Sequence, residues 1–291
     1  MVACVLGLAN SRFTIGNRGL VFAFVGFCWV AVSGLLARRY GLPRIALFLE
    51  TFAIPPIIGS LAFVSSVFMA TISGPFVDRG LAAVDTALWF DWRGLFQLYI
   101  QYPDLAELSR TAYYSFALQL SFIPMLAFAF GRFETVWTYL LAYMLAVIVT
   151  IAIFPLFPAV GPYVRYGISL NDLPAIAGDV PWQWKFGGWI EGLREGRIHD
   201  MAKVPSGLAS LPSFHAAAGV IFMWTCRDLG LLRWPVYLLN AAMIFAALII
   251  GAHYLIDILV GVAVGLAAIA AARLIIERAR KRVSEGTLAA I

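Results

Sequence analysis

Charge is scarce in this sequence, because Asp, Glu, Lys and Arg make up only 13% of its 291 residues, against about 25% in soluble domains. Cysteine is also scarce. Cys4, Cys28 and Cys226 are scattered, which argues against a disulfide framework or a cysteine metal motif. We find no low-complexity tract and no convincing repeat, and we expect no cleavable signal. The net charge of +5 comes without a basic, aromatic-interleaved surface, so we expect no nucleic-acid partner.

Apolar residues make up 62% of the chain, and this predicts a polytopic membrane protein of the all-α class. Seven apolar runs come near the ~20 residues that a spanning helix needs. They cover residues 19–37, 46–73, 111–130, 136–155, 213–227, 234–251 and 253–274. The fifth run is short, which suggests a helix that begins at the membrane surface.

The basic residues predict the orientation of these spans, because Lys and Arg concentrate in cytoplasmic loops. One set of short loops holds Arg38, Arg39, Arg44, Arg132, Arg227, Arg233, Arg273, Arg278, Arg280, Lys281 and Arg282. The long segments 74–110 and 156–211 then lie outside the cytoplasm, as does the N-terminus. Residues 78–100 of the first segment are predicted to form an amphipathic interfacial helix with aromatic anchors.

The stretch "GAHYLID" (251–257) places His253 and Asp257 four residues apart. On a helix this spacing puts both on one face, with Cβ atoms about 6 Å apart. The carboxylate can accept a hydrogen bond from one imidazole nitrogen, which leaves the other nitrogen unprotonated and aimed. Ionisable residues in membrane spans usually have a function, although such a pair can also simply join two helices.

The stretch "SLPSFH" (210–215) precedes the fifth run and lies at the same predicted membrane surface as His253. Pro212 suits a first helical turn, and Ser210 or Ser213 can cap the helix. The free N–H groups of a helix start favour an anion such as phosphate, and His215 could donate a proton to it. A surface histidine at a capped helix start is the alternative.

Together, these two motifs predict phosphoryl transfer, in which one imidazole attacks phosphorus and the other protonates the leaving oxygen. No metal is required, and no third ligand run is evident, so we expect neither metal nor cofactor. A proton-coupled transporter that uses His253 and Asp257 as a relay is an alternative. It predicts discontinuous helices and inverted repeats, which the sequence does not display.

At these residues the sequence resembles the type 2 phosphatidic acid phosphatase superfamily. The family motif Pro-Ser-Gly-His corresponds to Pro212-Ser213-Phe214-His215, and the family motif His-x-x-x-Asp to His253–Asp257, followed by Gly261. The resemblance implies a six-helix core in which His253 is the nucleophile, Asp257 orients it, His215 is the general acid and Ser213 holds phosphate.

The family's Ser-Arg pair is replaced by Ala246 and Ala247, and the Lys-x6-Arg-Pro motif has no clean match near residues 154–167. These departures, with "DRGLAAVDTALWFDW" and "AYYSFALQLSF", resemble the branch that includes inositol phosphorylceramide synthases. Arg165 and Lys203 are the candidate cations for phosphate. Tyr113 and Gln119 are candidates to line the cavity or to join helices, and His199 is expected to be a solvated loop residue.

The predicted organisation has three parts: residues 1–74 with two spans, a catalytic region at 75–275, and a basic cytoplasmic tail at 276–291. The expected function is a lipid phosphatase or phosphotransferase of a bacterial inner membrane, with its site on the extracytoplasmic side and a membrane lipid as substrate. Hydrolysis of a lipid phosphate or a polyprenyl pyrophosphate is the alternative to headgroup transfer. The oligomeric state is not predicted.

Overall fold

The structure, a computed structural model, describes residues 14, 16, 18–168, 182–204 and 207–288. These residues form twelve α-helices and no strand, so the prediction of an all-α polytopic bundle is confirmed. The predicted orientation of the N-terminus concerns residues that mostly lie outside the described ones. Thr14, close to α1 in sequence, exchanges backbone hydrogen bonds with His199 and Met201.

Five helices are long and apolar enough to cross a membrane, and a sixth span is formed if one bent pair counts as a unit. The five are α1 (Arg18–Arg39), α2 (Pro43–Thr71), α7 (Phe133–Ile153), α11 (Arg233–Ile249) and α12 (Leu255–Leu288). The bent pair is α5 (Pro103–Tyr114) and α6 (Phe116–Ala129), whose axes differ by 54°. This multi-pass architecture has one broken span where the sequence predicted a single helix at 111–130.

The fifth predicted span is α10 (Phe214–Thr225), which has only 12 residues. The seventh, α12, begins at Leu255 and continues to Leu288, so the helix runs on through the start of the predicted tail at residue 276. The division of the chain into three parts stays a prediction.

The prediction of one continuous helix at 78–100 is wrong, whereas its placement at the membrane interface stays a prediction. The chain forms α3 (Asp78–Ala87) and α4 (Trp92–Gln101), separated by a turn in which Trp89 has a φ of 59°. Asp91 caps α4 by accepting a hydrogen bond from Gly94 N. Trp92 and Phe96 are buried inside the protein, because they pack with residues of α11 and with Tyr163 of α8 (Pro162–Arg165).

The centre of the molecule is formed by α2, α6, α7, α10 and α12, which pack against one another. Their core is apolar and aromatic, with Tyr139, Tyr143 and Phe222 fully buried. A second layer, α9 (Phe186–Arg194), packs on α2 at the end where α7 finishes. The starts of α10 and α12 therefore lie side by side at the end of the bundle that α9 covers.

Candidate active site

The central group of the site is a carboxylate held by three neighbouring groups. Asp257 lies in the first turn of α12 and is fully buried. Its Oδ2 atom is 3.2 Å from His253 Nδ1, accepts a hydrogen bond from Ser210 Oγ at 2.8 Å, and accepts another from Tyr254 N at 3.1 Å. Because these donors converge on one oxygen, the carboxylate holds the His253 ring in one orientation.

The spacing argument assumed that His253 lies on a helix. In the structure it lies two residues before α12 begins. Ala252 precedes it with a φ of 56°, and His253 N donates to Ala247 O at 3.2 Å. The loop can close this tightly because residue 251 is glycine. A Cβ there would lie 2.5 Å from Ala247 O. The predicted pairing of His253 with Asp257 is present, although a turn and not a helix face creates it.

His215 lies in the first turn of α10, as predicted, and stacks on Tyr113 with ring centroids 4.1 Å apart. The ring of Phe116 also packs against His215, with centroids 4.5 Å apart. Pro212, predicted for the first turn, instead lies two residues before the helix. Aromatic packing from α5 and α6 thus holds His215 without using a charged partner.

His215 and His253 line one cavity of about 230 Å³. Its walls come from α2, α5, α6, α7, α10, the 3₁₀ turn Trp182–Trp184, the start of α9, and three loops. Those loops contribute residues near 159–161, 207–210 and 251–253. The structure therefore brings the two motif histidines to the same enclosed space, most of whose lining is apolar.

Phe214 replaces the glycine of the resembled motif and forms part of this cavity wall. Its ring packs edge-on against Tyr143, with centroids 5.5 Å apart, and against Phe116 at 6.0 Å. The phenylalanine thus adds an aromatic ring to the cavity wall where the resembled motif has no side chain.

Ser213 occupies the N-cap position of α10, and its N–H donates to Asp257 O at 3.0 Å. Its hydroxyl is buried, makes no capping hydrogen bond and has no partner among the described residues. The N–H groups of the first turn of α10 are therefore not used by a side-chain cap.

The structure does not bring the predicted cations to the cavity. Arg165, at the end of α8, and Lys203, in a 3₁₀ turn, are both exposed, and neither is among the lining residues. Within the described part of the chain, no Lys or Arg lines the cavity. The positions of the missing Ser-Arg pair, Ala246 and Ala247, are buried among the aromatic residues around Trp92.

Of the remaining candidates, Tyr113 lines the cavity, whereas Gln119 does not. Gln119 accepts a hydrogen bond from Asn240 Nδ2 at 2.7 Å and joins α6 to α11. His199 is an exposed loop residue outside the cavity. In the described ranges, no group of three or more His, Cys, Asp or Glu is arranged to hold a metal ion.

Two aspartates that the motif analysis missed support the site from α3. Asp78 accepts hydrogen bonds from Val160 N, Gly161 N and Tyr254 Oη, each at 2.8–2.9 Å. Asp85, two turns later, accepts from Leu255 N at 2.8 Å and Ile256 N at 3.0 Å, and so caps the helix that carries Asp257.

Burial raises the pKa of the Asp85 carboxyl above its ordinary value, and the two backbone donors oppose that shift. A sequence signal for both residues existed, because positions seven apart share one face of a helix. In "DRGLAAVD" that shared face carries the only two acidic residues.

Comparison with known proteins gives one finding. A family model described as PAP2 superfamily matches residues 79–271, about two thirds of the chain. The match includes all of α3 except Asp78, and therefore Asp85, together with both histidine motifs. No curated protein and no solved structure matches the chain significantly.

Proposed function

The chain belongs to the PAP2 superfamily, a family of lipid phosphatase-type membrane enzymes, and on that premise we propose that it transfers a phosphate-containing headgroup between lipids. The proposal rests chiefly on one observation: His215 and His253 line a single cavity, and His253 is held by the buried, threefold hydrogen-bonded Asp257.

In the proposed first step, His253 Nε2 attacks the phosphorus of the donor lipid. His253 Nδ1–H stays hydrogen-bonded to Asp257, which stabilises the positive charge that the ring acquires. The new N–P bond forms as the P–O bond to the lipid alcohol breaks, and His215 donates its proton to the leaving oxygen. The products of this step are a neutral lipid alcohol and a phosphohistidine.

In the second step an acceptor hydroxyl attacks the same phosphorus. His215, now neutral, takes the proton of that hydroxyl, and the N–P bond breaks to regenerate His253. A lipid alcohol as acceptor completes headgroup transfer, as in inositol phosphorylceramide synthases, whereas water completes hydrolysis. We propose transfer as the main reaction, at the extracytoplasmic side of a bacterial inner membrane.

The negative charge on the non-bridging oxygens needs donors. The uncapped N–H groups at the start of α10 and the hydroxyl of Ser213 are proposed to supply them, because both are next to the lining residues Phe214 and His215, although Ser213 itself is not among the lining residues. Arg165 or Lys203 would have to move to reach the cavity. We therefore give them no role in the proposed steps.

The test uses purified protein in lipid vesicles with a headgroup-labelled phospholipid and ceramide or diacylglycerol as acceptor. His253→Ala should abolish label transfer, and Asp257→Asn should lower the rate about 100-fold or more by misorienting the imidazole. His199→Ala, which changes the histidine outside the cavity, is the matched control and should retain activity.

Wild-type protein should also acquire an acid-labile label that His253→Ala lacks. Retention of near wild-type turnover by both His253→Ala and Asp257→Asn would contradict the proposed site. Release of label only as free headgroup phosphate, with no labelled acceptor lipid, would instead establish hydrolysis.

A further inference from the structure

Helix α7 carries two buried hydroxyls that have no hydrogen-bond partner among the described residues. They belong to Tyr143, which is fully buried, and Thr150, which is 2% exposed. The same helix shows the usual arrangement elsewhere: Thr138 donates to Glu134 O at 2.9 Å, and Tyr139 donates to Leu120 O at 2.7 Å. The unpaired hydroxyls are therefore specific to two positions and not a property of α7 as a whole.

Both unpaired hydroxyls belong to residues that line the cavity shared by His215 and His253. Seven residues separate Tyr143 from Thr150, so they lie two turns and about 10 Å apart on the same helix face. Gly59 of α2 faces the Tyr143 hydroxyl, and a Cβ at that glycine would lie 3.4 Å from the oxygen. Both side chains therefore border the cavity that a ligand would occupy, while their two hydroxyl oxygens are buried within its wall.

An unpaired buried hydroxyl is costly, because it loses its hydrogen bonds to water without replacing them, and native proteins leave few of them. Phenylalanine and valine would fill nearly the same volumes at these two positions without that cost. The polar residues therefore make physical sense if a ligand provides their hydrogen bonds.

The surrounding cavity wall indicates what kind of ligand this is. Around Tyr143 and Thr150 the lining is apolar, with Ala62, Val147 and Ile151 among its members, and no described lining residue is Lys, Arg, Asp or Glu. A charged group would be unfavourable there. A neutral oxygen-bearing group attached to hydrocarbon matches both the hydroxyls and their apolar neighbours.

We propose that Tyr143 and Thr150 bind the neutral ester, amide or hydroxyl groups that link the tails of a lipid to its head. This assignment rests on the proposed function, since it places the phosphate of the same lipid at His253 and His215. The two residues would determine which lipid backbone is accepted, because a site built to hydrogen-bond a polar group discriminates against analogues that lack it.

The test is binding of phosphate-free lipids, so that it does not depend on the reaction. Thermal unfolding of the full chain in detergent is measured with increasing diacylglycerol, ceramide or a long alkane. The wild type should be stabilised by diacylglycerol or ceramide and not by the alkane. The stronger of the two lipids identifies whether ester groups or amide and hydroxyl groups are recognised.

The double variant Tyr143→Phe/Thr150→Val should bind the recognised lipid at least tenfold more weakly. Without lipid it should unfold at a temperature about 2–4 °C higher than the wild type or more, because the unpaired hydroxyls are gone. A purely structural role for these hydroxyls would lower that temperature instead. The double variant Thr138→Val/Tyr139→Phe is the control on the same helix, and it should keep the lipid affinity.

Equal lipid affinity in the wild type and the Tyr143/Thr150 variant would overturn the proposal, since the two hydroxyls would then contribute nothing to lipid binding. Absence of stabilisation by either polar lipid would overturn it as well. Failure of the proposed function is detected separately, as retained turnover in His253→Ala. The changes in unfolding temperature caused by added lipid would still decide whether these residues bind lipid.

Discussion

At the scale of single residues, Asp257 fixes the orientation of the His253 ring. One of its oxygens serves His253, Ser210 and the backbone of Tyr254, whereas Oδ1 has no partner among the described residues. The orientation of the carboxylate is therefore fixed, with Oδ2 directed at the imidazole. Ser210 is the neighbour whose contribution can be removed most cleanly, because it donates through its side chain alone.

We expect Ser210→Ala to lower kcat about tenfold while the protein stays folded. The loss of one hydrogen bond to a charged group corresponds to about 1.5–3 kcal/mol, of which roughly 1.4 kcal/mol in the transition state gives a tenfold effect. The measurement is kcat and KM on a phospholipid donor, with Ser210→Thr as a partial rescue. An unchanged kcat in Ser210→Ala would contradict a positioning role for this hydroxyl.

The sequence was informative for residues whose chemistry is rare in a membrane. Histidine and aspartate stand out in apolar runs, so His215, His253 and Asp257 could be selected before any geometry was known. Ser210 was considered only as a helix cap, because a serine near a helix start has that local explanation. Its bond to Asp257 depends on the packing of two distant helices, which no local pattern encodes.

At the scale of elements, the approach of α12 to α10 depends on glycine. A Cβ at Gly261 would collide with the carbonyl oxygen of Ser213, and one at Gly265 would lie 2.6 Å from Ala217 O. Helices in membranes often approach closely through such small residues. The two helices carry the two histidine motifs at their starts, so this contact determines how far apart the motifs lie.

Gly261→Ala should reduce both stability and activity by forcing α10 away from α12. Overpacking of this kind typically costs about 1–3 kcal/mol, which corresponds to a fall in Tm of roughly 2–12 °C for a chain of this size. Gly26→Ala in α1 is the control, because its Cβ would meet no atom within 4 Å. A Gly261→Ala variant with wild-type Tm and turnover would show that the helices tolerate a wider separation.

Element positions followed well from hydropathy, since each predicted span corresponds to a helix or to the bent pair. Hydropathy did not predict where these helices are interrupted. The turn at Trp89 and the bend at Ser115 depend on where α4 and α5 pack against α11. The aromatic residues of α4 match a membrane surface and a protein interior equally well in composition, so only packing distinguishes the two.

At the scale of the whole molecule, a polar pocket of ionic residues and the two histidines lie at opposite ends of the bundle. Arg132, Arg227 and Arg273 meet with Glu134 and Glu277 in one polar pocket, while the histidines lie at the end where α7 finishes. Hydropathy and the basic loops predicted that these arginines share a side. The pairing of acids with them, such as Arg280 with Glu134 at 3.0 Å, could not be predicted from composition.

The predicted orientation can be tested by cysteine labelling in intact cells. In a background without Cys4, Cys28 and Cys226, Lys203→Cys should react with a membrane-impermeant maleimide before permeabilisation. Arg280→Cys should react only afterwards. Both positions are exposed, so burial does not limit the reaction. The reverse pattern would place the histidines on the cytoplasmic side.

The length of α10 has a consequence for which acceptor reacts. Twelve residues of helix extend about 18 Å, while the hydrocarbon layer is about 30 Å thick. If Arg227, two residues beyond its far end, lies in the headgroup layer, the start of α10 falls roughly 12 Å short of the opposite boundary. At that depth the local activity of water is low and that of lipid alcohols is high. Under the proposed function, such a depth would favour transfer to a lipid alcohol over hydrolysis, by local concentration alone and without a group that recognises the acceptor.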